Sequence, residues 1–184
     1  MDIYIIRHTT PDIAKGICYG QTNLELTDDF QTESDAILSK LPKNKTPIVY
    51  SSPLKRCTQL AARIASSYST DKRLLELNFG TWELKNWNDI PKNEMTPWME
   101  NFVHEKVPMG ESYTELATRV AHFFEEISNT NHEQIIIVTH GGVQRALLAQ
   151  LTNTPLKKSF DIKIAYGQIS KVSISETTHV IMNF

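Results

Sequence analysis

The stretch Ile3-Tyr4-Ile5-Ile6-Arg7-His8 is a short apolar run that ends in two basic side chains. Far downstream a second run, Ile135-Ile136-Ile137-Val138-Thr139, ends in His140-Gly141-Gly142. Short apolar runs rich in β-branched residues predict buried strands. Ligands of an open α/β sheet bind beyond the carboxyl ends of its strands. The sequence therefore predicts that the two histidines meet at one edge of a sheet.

A histidine pair beside an arginine suits phosphoryl transfer. The transferring group carries negative charge on its peripheral oxygens, so the protein mainly supplies position and fixed positive charge. His8 is the candidate nucleophile, because a neutral imidazole nitrogen can form a covalent bond to phosphorus. Arg7 is permanently protonated and fork-shaped, so it can bind the oxygens, with His140 facing His8.

A third strand is predicted at Ile48-Val49-Tyr50-Ser51, followed by a helix. Ser52 before Pro53 resembles a helix start, with the serine as N-cap and the proline at the first helical position. Arg56 then falls in the first turn. The exposed N–H groups of that turn favour an anion, so Arg56 would bring a second guanidinium to the same phosphate.

The chemistry also needs a general acid, because the leaving alkoxide requires a proton and the later water requires a base. Two carboxylates, Glu76 and Glu83, lie in the mixed apolar and acidic segment 74–83. The residue types alone leave both open.

Together these motifs resemble the histidine phosphatase superfamily, also called phosphoglycerate mutase-like. The resemblance is carried, in order along the chain, by Arg7-His8-Thr9, Ser51-Ser52-Pro53-Leu54-x-Arg56-Cys57-x-Gln59, Glu76-x-x-Phe79-Gly80-x-Trp82-Glu83, Gly110-Glu111-Ser112 and Val138-Thr139-His140-Gly141-Gly142-Val143-x-Arg145.

The resemblance implies that His8 is phosphorylated and that Arg7, Arg56 and His140 form the phosphate pocket. It also implies that Glu76 is the proton donor, with Glu83 secondary, and that neither a metal nor another cofactor takes part. Gly141 is a further candidate substrate-binding residue. Tyr19, Gly20 and Gln21 are interpreted either as a substrate rim or as a structural turn. Arg145 is interpreted as a brace for the helix after His140.

Residues 7–11 and 15–24 are similar to the α-ribazole phosphatase branch of the superfamily. The similarity implies removal of the phosphate of α-ribazole 5′-phosphate during cobalamin nucleotide-loop assembly. A sugar-phosphate phosphatase or a phosphoglycerate mutase is the alternative. A noncatalytic phospholigand-binding regulatory domain is an alternative of another class, but it would not need the acid Glu76. A metal hydrolase based on His8 and His140 lacks a nearby carboxylate at ligand spacing.

Composition restricts the other function classes. The chain has 184 residues, most simply one domain over 1–184, and a formal net charge of −2 without a dense basic block. A small phosphomonoester is therefore the expected partner, rather than nucleic acid. No apolar run is long enough to suggest a membrane, so a cytoplasmic protein is expected. Cys18 and Cys57 predict neither a disulfide framework nor a zinc site.

Alternating strand and helix patterns predict a three-layer α/β/α sandwich with a mostly parallel central sheet, as the family resemblance also implies. The irregular segment 84–110 contains three prolines and Trp87, Trp98 and Phe102. It is interpreted as a substrate cap whose aromatic residues pack together or stack on a heterocycle. Strands are predicted at 2–7, 46–51, 72–76, 134–139, 162–174 and 178–183, and helices at 27–41, 53–68, 112–129 and 142–151.

Overall fold

The computed structural model describes residues 1–43, 46–175 and 179–183, the last range by its backbone alone. Its centre is a six-stranded sheet. The strands are β1 (Asp2–Arg7), β2 (Ile48–Ser51), β3 (Ser69–Thr70), β4 (Gln134–Thr139), β5 (Ile169–Ile174) and β6 (His179–Asn183). They lie in the order β3-β2-β4-β1-β5-β6. The first four strands of that order pair in parallel, β5 pairs antiparallel with β1, and β6 pairs antiparallel with β5.

Helices cover both faces of the sheet, which confirms the predicted α/β fold. The helices are α1 (Phe30–Lys40), α2 (Lys55–Ile64), α3 (Lys92–Asn101), α4 (Tyr113–Ser128) and α5 (Gly141–Leu151). Ile3 and Ile5 of β1 point into one core with α4 and α5, whereas Tyr4 and Ile6 point into the opposite core with α1 and α2. This alternation follows from the two-residue period of a strand, and burial of both faces makes the strand apolar along its whole length.

The predicted start of the second helix is wrong. Helix α2 begins at Lys55, after an extended Leu54, and Ser52 is not its cap. A residue that precedes proline is biased towards extended backbone, so Ser52-Pro53 forms a turn before the helix. The Ser52 hydroxyl is instead directed to His140.

Two predicted strands also differ from the structure. The strand expected at 72–76 is a short 3₁₀ helix, Lys72–Leu74, because the Asp71 carboxylate accepts from the Arg73 N–H at 2.7 Å and starts a turn. The strand expected at 162–174 begins only at Ile169. The carbonyls of Ile162 and Ile164 accept hydrogen bonds from arginine side chains rather than from a neighbouring strand.

Segment 84–110 is more regular than its prolines suggest. It contains a 3₁₀ turn, Trp87–Asp89, and helix α3, which accommodates Pro97. Trp87 and Trp98 stack with their ring centroids 6.0 Å apart, and Trp82 contacts Trp98 at 5.5 Å. The aromatic residues of segment 84–110 therefore pack together, which was one of the two expected arrangements.

Helix α4 begins as the sequence suggests. The Ser112 hydroxyl accepts from the Glu115 N–H, while the Glu115 carboxylate accepts from the Ser112 N–H, which completes a capping box.

None of the helices in the described ranges combines the length and the apolar character needed to cross a lipid bilayer.

Candidate active site

Strand register brings the predicted site residues to one edge of the sheet. Arg7 is paired with Thr139, and Ser51 is paired with Val138, in parallel ladders. The His8 N–H donates to the Thr139 carbonyl at 2.9 Å. As a result, residues that directly follow three neighbouring strands, Ser52, His8 and His140, converge.

The hydrogen bonds of His8 determine which ring nitrogen carries the proton. Its Nδ1 lies 2.6 Å from the Thr9 carbonyl, which can only accept, so Nδ1 is protonated. Its Nε2 lies 3.2 Å from the Arg56 Nε–H, which can only donate, so Nε2 has a free lone pair. His8 therefore presents Nε2 as the potential nucleophilic atom.

Both site histidines are held in the neutral form. Burial and the positive charge of Arg56 lower the pKa of His8 well below its usual value, against the opposing effect of the Thr9 hydrogen bond. Burial, Arg56 and His8 likewise lower the pKa of His140. The site thus contains two uncharged imidazoles surrounded by guanidinium groups.

His140 lies directly beside His8. The two ring centroids are 5.1 Å apart in an edge-on arrangement. The Ser52 hydroxyl lies 2.7 Å from His140 Nε2, and Cys57 Sγ is 3.5 Å from the same nitrogen. Burial raises the pKa of the Cys57 thiol to about 12, so it remains protonated and inert near neutral pH.

Arg56 is fully buried, and the main chain holds its guanidinium in place. Nη1 donates to the Thr22 carbonyl at 2.8 Å and Nη2 to the Gly20 carbonyl at 2.5 Å. Only Nε is directed towards His8. Arg56 therefore reaches the site with one N–H, rather than with the open fork that a solvated arginine would offer.

Arg7 has more unused hydrogen-bond donors than Arg56. Its Nη1 donates to the Ile164 carbonyl at 2.7 Å, and its guanidinium carbon lies 3.9 Å from the centre of the Tyr166 ring. Its buried Nε has no hydrogen-bond partner among the described residues. A buried N–H without an acceptor is costly, so an anion at this position would be bound favourably.

Glu76 is directed to the start of α5. Its Oε2 accepts from the Gly142 N–H at 3.0 Å, and its Oε1 accepts from the Leu77 N–H at 3.0 Å. A side chain at position 142 would clash, because an added Cβ would lie 2.3 Å from Glu76 Oε1. Glycine at this position therefore allows the carboxylate to approach the helix end next to His140.

A partly buried ion pair secures the backbone of the Glu76 loop. Arg119 Nη2 is 2.6 Å from Glu111 Oε1, and the same guanidinium donates to the carbonyls of Arg73 and Glu76. Glu111 Oε1 also accepts from the Asn78 N–H. The Gly110-Glu111-Ser112 motif thus positions the acid loop.

Glu83 has a structural environment. Burial alone would raise its pKa, but hydrogen bonds from the Thr22 hydroxyl and from the N–H groups of Gly20, Gln21 and Thr22 outweigh that effect and lower the pKa. Its carboxylate holds the 20–22 loop, whose carbonyls hold Arg56. Of the two interpretations of the Tyr19-Gly20-Gln21 segment, a structural turn thus fits Gly20 and Gln21, whereas Tyr19 faces the cavity.

A cavity of about 220 Å³ opens beside His8. Its wall includes Gly142, whereas Arg56, His140 and Gly141 are not among the wall residues. The sequence did not predict Arg145, Tyr113 and Phe160 as wall residues, although Arg145 belongs to the motif that contains His140. The wall comprises Arg7, His8, Ile17, Tyr19, Glu76, Leu77, Phe79, Trp87, Tyr113, Gly142, Arg145 and Phe160.

The neutral histidines predict an acid-sensitive fold. Their folded-state pKa values lie below the unfolded value of about 6.5, so the unfolded chain binds more protons once the pH falls below that value. We expect the free energy of unfolding to fall by up to about 1.4 kcal/mol per pH unit for each histidine. Urea titrations between pH 7.5 and 5.5 measure this slope.

The matched variants are His8→Asn, which removes one of these titrations, and His132→Asn, which changes an exposed histidine far from the site. His8→Asn should flatten the slope, and His132→Asn should leave it unchanged. Equal slopes for wild type and His8→Asn would contradict the assignment of a neutral, buried His8.

Comparison with known proteins agrees with this geometry. The model of the histidine phosphatase superfamily (branch 1) matches residues 3–184. The chain belongs to the histidine phosphatase superfamily. It is an α/β protein of the phosphoglycerate mutase-like kind, as its resemblance to the family implied, and phosphatase activity is the function supported by its relatives.

Two relatives of this chain are named as phosphatases of different substrates. The chain is 31% identical to a metal-independent phosphoserine phosphatase of Arabidopsis thaliana, over 82% of this chain and 68% of that protein. It is 25% identical to the adenosylcobalamin/α-ribazole phosphatase of Escherichia coli, over 96% of this chain and 91% of that protein. The crystal structure of α-ribazole phosphatase from Shigella flexneri superposes with a TM-score of 0.89 at 24% identity, covering 99% of this chain and 95% of that one.

Proposed function

We propose that this protein is a metal-independent phosphomonoesterase that acts through a phosphohistidine at His8. The observation that carries the proposal is the orientation of the His8 ring, whose Nε2 lone pair is kept available by the Thr9 carbonyl on the opposite nitrogen. A nucleophile that is neutral and desolvated needs no deprotonation before it attacks phosphorus.

In the first half-reaction, His8 Nε2 forms a bond to phosphorus as the ester oxygen leaves. Nε2 must give up its hydrogen bond from Arg56, so the Arg56 Nε–H becomes free to donate to a phosphoryl oxygen. Arg7 Nε, which lacks a partner among the described residues, supplies a second donor. The negative charge of the phosphate would counteract the positive charge of Arg56, which together with burial lowers the pKa of His140, and the His140 ring would be a further donor to the phosphoryl oxygens.

Glu76 completes the cycle. When protonated, it gives its proton to the leaving oxygen, and the resulting carboxylate then accepts a proton from the water that attacks phosphohistidine. The products are the alcohol, inorganic phosphate and regenerated neutral His8. The hydrogen bonds from Gly142 and Leu77 hold this carboxyl group at the cavity wall throughout.

Two kinds of substrate are candidates. The similarity to α-ribazole phosphatases, together with Phe79 and Trp87 in the cavity wall, favours α-ribazole 5′-phosphate, with segment 84–110 as the cap over its base. The cavity of about 220 Å³ is smaller than those that usually hold drug-sized ligands, about 300–1,000 Å³, and so favours a smaller phosphomonoester. A hydrolysis screen that includes α-ribazole 5′-phosphate, phosphoserine, 3-phosphoglycerate and sugar phosphates ranks them.

Activity should survive removal of divalent metal ions. Arg7 and Arg56 supply positive charge that Mg²⁺ provides in many phosphotransferases. Within the described residues, moreover, no group of three or more His, Cys, Asp or Glu side chains is placed to hold a metal. We expect unchanged rates in excess chelator and inhibition by vanadate, measured with p-nitrophenyl phosphate. A loss in chelator that is restored by one divalent ion would overturn the metal-independent mechanism.

A further inference from the structure

Arg145 has more donors in the cavity than a structural brace requires. Its Nε donates to the Ile162 carbonyl at 3.1 Å, and its guanidinium carbon lies 5.4 Å from the centre of the Phe160 ring. These contacts orient the side chain. Its two terminal amino groups have no recorded hydrogen bond or ion pair with the residues that the structure describes, yet the side chain lines the cavity.

Arg145 and Arg7 line one cavity without an ion-pair partner among the described residues. Burial lowers the pKa of Arg145, and the charge of Arg7 lowers it further, whereas Glu76 acts in the opposite direction. Neither arginine is within 4.0 Å of a carboxylate in the described part of the chain. Two partly desolvated guanidinium groups that face one cavity favour an anionic ligand.

The surroundings of Arg145 place it on the leaving-group side of the cavity. The Phe160 ring, which contacts the Arg145 guanidinium, also packs against Tyr113 with the ring centroids 5.5 Å apart. The Tyr113 hydroxyl donates to the Gly142 carbonyl at 3.4 Å, and the Gly142 N–H donates to Glu76. Arg145 thus lies on the Gly142–Glu76 side of the cavity, whereas His8 contacts Arg56 and Tyr166. An anion bound there belongs to the alcohol part of the substrate rather than to the transferring phosphoryl group.

We propose that Arg145 binds a carboxylate on the leaving group, so that the substrate class is a small phosphomonoester whose alcohol carries a carboxylate close to the ester oxygen. This inference rests on the phosphohistidine function proposed above. A planar guanidinium can bind a carboxylate through two parallel hydrogen bonds, which also fixes its orientation. The carboxylate offsets the repulsion between Arg145 and Arg7 and directs the ester oxygen towards Glu76.

Two pairs of substrates test how the carboxylate affects kcat/KM. Phosphoserine differs from phosphoethanolamine by a carboxylate alone, and 3-phosphoglycerate differs from glycerol 3-phosphate by a carboxylate in place of a hydroxymethyl group. For at least one pair, the wild-type protein should favour the carboxylated member in kcat/KM by about 10- to 100-fold, the range expected of a hydrogen bond to a charged group.

Arg145→Gln should remove that preference, mainly by raising KM for the carboxylated member, and should leave the carboxylate-free member little changed. Arg145→Lys keeps the charge but not the two parallel bonds, and should retain part of the preference. Lys163→Gln removes a positive charge from an exposed side chain next to Ile162 and Ile164, and should leave the preference intact.

The outcomes separate this inference from the proposed function. Equal wild-type rates within both pairs, or an Arg145→Gln effect equal on both members of a pair, would overturn the carboxylate site while leaving the phosphohistidine enzyme intact. Hydrolysis of α-ribazole 5′-phosphate in clear preference to all carboxylated esters would also overturn it. A protein that hydrolyses no phosphomonoester and forms no phosphohistidine would instead overturn the proposed function.

Discussion

Replacement of His8 by alanine is expected to abolish turnover, with kcat lowered by at least about 10⁴-fold, the scale seen when a covalent nucleophile is removed. The neighbouring groups are engaged elsewhere or protonated. Nε2 of the second neutral imidazole, His140, lies 2.7 Å from the Ser52 hydroxyl, the buried Cys57 thiol is held protonated, and Glu76 is directed to the end of α5. Steady-state hydrolysis of p-nitrophenyl phosphate measures the loss.

The matched variant is His8→Asn. Alanine leaves the Thr9 carbonyl without the donor that His8 Nδ1 provides, whereas the asparagine amide N–H can donate a hydrogen bond there, so His8→Asn separates loss of chemistry from loss of packing. Both variants should unfold cooperatively in urea, and neither should turn over substrate. Near-wild-type activity in a folded His8→Asn protein would show that His8 is not the nucleophile.

Replacement of Glu76 by glutamine should have the second largest effect. An alkyl phosphate leaves as a strongly basic alkoxide, so its hydrolysis should slow by roughly 10²–10⁴-fold, the usual contribution of general acid–base catalysis. An aryl phosphate has a better leaving group, so phosphorylation of His8 should slow much less. Phosphoenzyme should then accumulate, because the attacking water also lacks its base.

Glu83→Gln is the control for the acid. The Glu83 carboxylate anchors the loop that holds Arg56, so its loss should lower substrate binding and stability. It should not change the ratio of alkyl to aryl hydrolysis. If instead Glu83→Gln alone shows the selective loss on alkyl phosphates, Glu83 is the acid and the placement of segment 74–83 relative to the family motif is wrong.

The sequence predicted the sheet and the convergence of the histidines because both depend on local patterns. Apolar runs such as 3–6 and 135–138 are too short and too β-branched to be other than strands, and parallel neighbours end at the same edge. The basic residues that follow those strands were therefore correctly expected to meet. The order of the motifs along the chain, through the family resemblance, led to the same prediction.

The contacts between distant segments could not be predicted in this way. Ser52-Pro53 has the local pattern of a helix start, but the Ser52 hydroxyl contacts His140 across the sheet edge. Arg145 was interpreted as a brace because its position along α5 does not reveal that its side chain lines the cavity. The role of Glu83 depends on the 20–22 loop, which is remote in sequence.

The most direct test of the central claim is to identify the phosphorylated atom. Glu76→Gln protein is mixed with an aryl phosphate labelled in its phosphoryl group, quenched in denaturant at alkaline pH, and digested for mass spectrometry and analysis of the phosphohistidine isomer. The account predicts label on Nε2 of His8, because Nδ1 carries its proton to the Thr9 carbonyl, and no label when His8→Asn is added. Label on another residue or on His8 Nδ1, or stoichiometric release of the aryl alcohol without any phosphoenzyme, would contradict it.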